Sequence, residues 1–222
     1  MRDDFADTKK EATMAGTVIV AGGTCDLSKY GDILSGAYLI GADRGALYLA
    51  DAGYHIDMAV GDFDSVDEAE MGRIFKSADE VKKLPAEKNE TDLEHAINRA
   101  LDLTSGAIYI LGATGSRLDQ TMSALYLLKR IHDKGREAFV CGENNRIRLI
   151  DGVAVIFKSE YRYVSLIPYG DVVTDVMLKG FKYNGERITL RKDESLGISN
   201  EIVEGVAKIS CRGALYVIES ND

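Results

Sequence analysis

The stretch Asp57-Met-Ala-Val-Gly-Asp-Phe-Asp-Ser65 decides how this chain is read. Its apolar half, Asp57 to Gly61, reads as a buried strand, and Asp62 and Asp64 follow where that strand ends. Carboxylates two residues apart leave one face of an extended chain together. Paired Asp residues at such a point suit a hard divalent cation, and Mg²⁺ there points to phosphate chemistry. The same residues also suit a strand-to-helix turn in which Asp64 or Ser65 caps a helix starting near Val66.

Working outward, the pattern repeats. Thr17–Ala21, Ala37–Gly41 and Ala107–Leu111 are further short apolar runs without polar alternation, as expected of strands covered on both faces. Helical stretches fall between and after them, at 44–53, 66–77, 91–103 and 116–134. The last carries Leu118, Met122, Leu125, Leu128 and Ile131 at helical spacing, a stripe read as core packing. This alternation predicts an α/β fold with a mostly parallel sheet over residues 17–142. The character changes after about Arg136. Short β-rich segments follow from Arg146, with turns expected at Asp151-Gly152, Pro168-Tyr-Gly170, Asn184-Gly185 and Arg212-Gly213. They predict a small all-β sandwich or barrel over 146–222. Residues 1–16 read as a disordered, polar lead-in, within which Met14 is an alternative start.

Composition narrows the class. The net charge of −9 argues against broad nucleic-acid binding, which needs a basic face. No apolar run approaches the roughly 20 residues of a membrane span, and the N-terminus lacks a signal-peptide core. Cys25, Cys141 and Cys211 show neither metal-ligand nor disulfide spacing, which suggests a reducing cytoplasm. The three His are scattered, against a zinc site.

In a parallel sheet the carboxyl ends of the strands share one edge, where ligands bind. That edge should gather Gly22-Gly23, Asp43, Asp62 with Asp64, and Gly112 to Arg117 with Thr114. The glycine pair is a tight turn or a close approach to phosphate or adenine; Asp43 is a helix cap or a metal ligand. Gly112 to Arg117 leads into a long helix and forms an amide-rich anion site, with Arg117 as a fork for phosphate. Asp119 is a helix-favouring anion or a ligand. Lys88-Asn-Glu-Thr91-Asp92 precedes another helix, where Thr91 and Glu94 make a capping box, or Lys88, Thr91 and Asp92 serve phosphate, hydroxyl and metal. Asp43, Asp62, Asp64, Asp92 and Asp119 on one edge would repel unless a cation intervenes. The missing Walker lysine excludes a P-loop.

These motifs, with Ala42-Asp-Arg-Gly-Ala46, Gly115-Ser-Arg-Leu-Asp119, Ser165-Leu-Ile-Pro168 and Ser195-Leu-Gly-Ile-Ser-Asn-Glu201, resemble the thiamine pyrophosphokinases of bacteria, in matching order from about residue 17 to the end. The resemblance implies an α/β domain followed by a β-sandwich, and a homodimer with sites between subunits. It implies ATP and thiamine as substrates, with thiamine diphosphate and AMP as products. It implies Mg²⁺–ATP at Asp43, Asp62, Asp64 and Asp92, with Arg117 and Asp119 in the nucleotide pocket. Ser199 and Asn200, which by themselves read as a polar turn, would reach thiamine from the partner subunit. The chain departs from the family at Asn89, where Asp is common, and at Gln120, where His is common. It also lacks the Trp that covers thiamine in some members, so any stacking must use Tyr or Phe. A metal-dependent phosphohydrolase and a non-catalytic binding module are the rival readings of the same residues.

Overall fold

The computed structural model describes residues 16–85, 87 and 89–222; the expectations for residues 1–15 and for Lys88 lie outside them. Gly16, assigned above to the lead-in, is buried, and its carbonyl accepts from the Tyr38 amide at 3.0 Å. Gly16 therefore belongs to the fold.

Strands β1 (Thr17–Val20), β2 (Tyr38–Ala42), β3 (Ile56–Gly61), β4 (Ala78–Lys83), β5 (Ile108–Leu111) and β6 (Ala138–Cys141) are parallel, in the order β6-β5-β1-β2-β3-β4. Alternate side chains enter two cores. Ile19, Ile40, Met58 and Ile110 meet helices α4 (Asp92–Leu103) and α5 (Leu118–Asp133). Val18, Val20, Leu39 and Ala59 meet α1 (Gly31–Leu34), α2 (Arg44–Asp51) and α3 (Glu68–Ser77) on the other face. Apolar residues at every strand position are thus explained by helices on both sides.

Two strands escaped the sequence reading. β4 is Ala-Asp-Glu-Val-Lys-Lys, an edge strand of mixed exposure whose charges protect an open edge and hide it from a hydrophobic search. β6 is only four residues long and lies where the pattern was already changing.

Beyond β6 the sheet continues without a break but reverses direction. β7 (Asn145–Phe157) runs antiparallel to β6, Val140 opposite Ile147, and then pairs along its length with β11 (Val206–Ser220). The other edge of β11 carries β8 (Tyr163–Pro168) over one half and β9 (Val172–Lys179) over the other, with β10 (Gly185–Arg191) outside β9. This β-rich region has its own core around Ile156, Leu166, Val176, Phe181, Ile209 and Val217.

The turns expected at Asp151-Gly152 and Arg212-Gly213 are not turns. Both lie inside long strands and nearly oppose one another, where the β7–β11 register shifts between Ser210 and Ala214. Gly152 and Gly213 have φ of 85° and 107°, so they kink paired strands instead of ending them. The segment Glu201–Val203 forms only isolated bridge contacts through Ile202. The α5 stripe also needs correction: Leu118 and Met122 are exposed, and Ala124, Leu127, Leu128 and Ile131 form the buried side. Among the described residues no helix is long and apolar enough to cross a membrane.

Candidate active site

The parallel sheet reverses its winding between β1 and β5: the chain steps outward from β1 to β4, then returns to place β5 on the other side of β1. Loops that follow two such strands diverge to opposite faces and leave a crevice. A cleft of about 690 Å³ lies there. Its lining includes Gly22 to Thr24, Asp43, Thr91, Asp92, Gly112 to Arg117, Asp119 and Gln120. The topology therefore unites four separated motifs. At its floor the Gly23 amide donates to the Gly112 carbonyl at 2.9 Å, and a Cβ on Gly23 would stand 2.4 Å from that oxygen. Close backbone packing, rather than a turn alone, explains that glycine.

Asp43 occupies the N-cap position of α2 but does not cap it. Its φ is 51°, a conformation that L residues pay for and that recurs at functional sites. The backbone is pinned by the Asp43 amide donating to the Val60 carbonyl at 2.8 Å. A Cβ at Gly45 would lie 1.9 Å from the Val20 carbonyl oxygen, so α2 starts hard against β1. Ser65 Oγ donates to Asp43 Oδ2 at 3.1 Å, while Oδ1 is buried without a hydrogen-bond partner among the described residues. Burial pushes the Asp43 carboxyl above its ordinary range, and the charges of Asp92 and Asp62 push the same way.

One oxygen each from Asp43, Asp62 and Asp64 lies within 4.8 Å of the others. An all-oxygen, carboxylate-rich set of this size fits a hard divalent ion, and Asp43 keeps a buried oxygen whose hydrogen-bonding capacity no described residue meets. Asp92, expected among the ligands, is outside this triplet but lines the adjoining cleft. Asp43 belongs to both, so the carboxylate triplet and the cleft share a border. The alternative cap reading of Asp64 and Ser65 does not hold, because α3 starts at Glu68 and is capped by Asp67 in a reciprocal pair with Glu70. Thr91 does cap α4, its Oγ accepting from the Glu94 amide at 3.1 Å.

Arg117 makes no side-chain cap to α5; it reaches Asp119 instead, with Nη2 2.6 Å from Oδ2. That hydrogen bond holds the Asp119 carboxyl below its usual range. Both side chains are exposed, and such pairs are weak enough for an arriving phosphate to displace. Thr114 packs against Gly142, where a Cβ would come within 2.6 Å of its Oγ.

Residues 32–140 match the family model described as thiamin pyrophosphokinase, catalytic domain, and residues 153–216 match the one described as thiamin pyrophosphokinase, vitamin B1 binding domain. The thiamine pyrophosphokinase of Bacillus subtilis (strain 168) is 35% identical over 211 residues, 92% of this chain and 98% of that protein. The chain belongs to the thiamine pyrophosphokinase family. A crystal structure of the Bacillus subtilis enzyme matches with a TM-score of 0.86 at 34% identity, covering 93% of this chain and 99% of that one. That of Geobacillus thermodenitrificans matches at 0.82 and 31% identity, covering 93% and 97%.

Against this family background, Ser199 and Asn200 stand apart from the cleft and do not line it. Asn200 is buried in the β-rich region. Its Oδ1 accepts from the amides of Tyr183 and Glu201, and its Nδ2 donates to the Tyr183 carbonyl at 2.8 Å. Ser199 has φ of 57°, and its amide donates to Ser165 Oγ. This explains both polar motifs of the β-rich region as parts of one local scaffold. The scaffold clasps the backbone of Tyr183, a residue that is 64% exposed.

Sequence reasoning passed over Tyr183, Arg44, Tyr48 and Ser123. Arg44 donates to the Ser65 carbonyl at 3.0 Å and braces the loop carrying the paired Asp residues. Tyr48 lines the cleft one helical turn from Arg44, a spacing that was available as a signal. Ser123 also lines it and follows Asp119 by one turn.

Proposed function

We propose that this protein transfers the pyrophosphoryl group of ATP to the hydroxyl of thiamine, giving thiamine diphosphate and AMP, with Mg²⁺ as its metal. The observation that carries this reading is the Asp43, Asp62 and Asp64 triplet, in which Asp43 also keeps a buried oxygen without a hydrogen-bond partner among the described residues, at the border of a cleft built from glycine-rich strand ends. Asp43, Asp62 and Asp64 would hold the metal, with Asp92, which lines the adjoining cleft, as a further ligand. When bound, Mg²⁺ neutralises carboxylates and polyphosphate in one place. Residues 17–142 take the nucleotide, whose phosphates meet the amides of Gly112 to Ser116, Thr114 and the Arg117 guanidinium, with Lys88 as a second cation. Asp119 and Thr91 orient the nucleotide. Catalysis comes mainly from holding the hydroxyl in line with the β-phosphorus and from stabilising the transferring charge. Asp92 or Asp64 accepts the hydroxyl proton.

Residues 146–222 carry the thiamine-binding face. Ser199, Asn200 and the exposed Tyr183 ring lie outside the chain's own cleft, which supports a homodimer in which one subunit offers this face to its partner's cleft. Tyr183 then supplies the aromatic surface that a Trp supplies in some family members. The expected setting is cytoplasmic, with neither nucleic acid nor membrane as partner.

The test incubates purified protein with ATP, Mg²⁺ and thiamine and resolves AMP, ADP and thiamine phosphates. AMP and thiamine diphosphate should form in equal amounts. ATP hydrolysis independent of thiamine, or no turnover at all, overturns the proposal.

A further inference from the structure

The entry to α4 is held by a polar network whose hub, Glu90, neither lines the cleft nor belongs to the carboxylate triplet. Glu90 immediately precedes the N-cap Thr91, a position with no helical hydrogen bond of its own to hold it. Yet both its carboxylate oxygens are engaged. Oε1 is 2.5 Å from His95 Nδ1, and Oε2 accepts from Asn98 Nδ2 at 3.2 Å. His95 and Asn98 are three residues apart and share one face of α4. Asn98 Oδ1 in turn accepts from Arg130 Nη1 of α5 at 3.3 Å, and the same Arg130 nitrogen pairs with Glu94 Oε1 at 2.7 Å. The Glu94 amide is the one capped by Thr91. The His95 ring is mostly buried, with Nε2 unpartnered among the described residues, so its hydrogen-bonding commitment is to Glu90 alone.

A continuous run of polar contacts thus links the body of α5, whose N-terminus carries Arg117 and Asp119, to the residue two before Asp92. We infer that Glu90, clasped by His95 and Asn98, is a positioning residue that fixes where Asp92 enters the cleft relative to Asp43 and the α5 N-terminus. Its effect reaches the reaction through Asp92. A displacement of about 1 Å at a reacting centre costs on the order of 100-fold in rate, so a side chain remote from the substrate can matter this much. The inference rests on the proposed pyrophosphoryl transfer, in which Asp92 serves metal, phosphates or proton.

The test compares Glu90→Ala, Glu90→Gln, His95→Leu, His95→Asn and Glu90→Ala/His95→Leu with the unaltered protein. It reads kcat and KM for ATP and thiamine, thermal midpoint, and Mn²⁺ binding in the presence of ATP by electron paramagnetic resonance. Glu90→Ala and His95→Leu should each lower kcat/KM by about 10- to 100-fold and weaken Mn²⁺ binding, with little change in thermal midpoint. His95→Asn, which keeps a donor near Nδ1, should recover most of the loss, and Glu90→Gln part of it. The double variant should be no worse than Glu90→Ala, because both changes break one contact. Unchanged kcat/KM and Mn²⁺ binding in the single variants overturn the inference, as do losses that follow the thermal midpoint whether or not the donor is kept. Failure of the unaltered protein to make thiamine diphosphate instead defeats the functional proposal on which the inference rests.

Discussion

The parallel and antiparallel halves of the sheet bury their strands in different ways. β1, β5 and β6 are almost wholly enclosed, whereas β9 alternates between buried and exposed positions along its length. In the first half helices cover both faces, so side chains along a strand carry packing and the chemistry is confined to the strand ends. In the second half one face stays open and shows Val153, Val155 and Phe157 along β7. There the polar contacts of Asn200 and Ser165 build a local scaffold and leave Tyr183 exposed. Enclosed strands leave only their ends free to line a cleft; half-open strands present a whole face.

Substitutions can break this contrast. Asp62→Asn or Asp64→Asn acts only at a strand end, and turnover should fall by about 100- to 1000-fold with circular dichroism unchanged; full activity in both variants would remove the metal assignment. In the other half Phe181, almost fully buried, anchors the loop that carries Tyr183. Phe181→Ala should cost about 3–5 kcal/mol in denaturant unfolding and raise KM for thiamine more than KM for ATP. Equal effects on the two KM values would mean that the halves are not functionally separate. The smallest effect concerns Asp43, a half-buried carboxylate in a strained conformation. Asp43→Asn should abolish stabilisation by Mg²⁺ while making the metal-free protein more stable, by about 1 kcal/mol, because a charge no longer has to be buried. Lower stability of the metal-free variant would show that Asp43 is held for structure instead.

Much of the enclosed half was legible in the chain. Val18-Ile-Val20 and Ile108-Tyr-Ile110 announce covered strands, and the spacing of the motifs that follow such strands anticipated the cleft. The open half was less legible because glycine has two meanings there. Gly152 and Gly213 look like turn residues, and only their pairing across β7 and β11 makes them kinks in continuous strands. β4 was hidden because an edge strand can be polar, and Leu118 and Met122 were misread because helical spacing says which residues share a face, not whether a partner covers it.

Local periodicity and the order of motifs, both properties of neighbouring residues, determined by themselves the alternation of strands and helices, the change of character after about Arg136, and the residues at the strand ends. Long-range pairing decided the rest. It set the reversal of winding at β1 and β5 that opens the cleft, and the packing of α2 against β1 at the point where Asp43 is strained. It also separated Asn200 from the cleft and joined Glu90 to Arg130 through Asn98. These features depend on which distant backbone and side-chain groups satisfy one another when the chain closes, and no short window of sequence contains both partners.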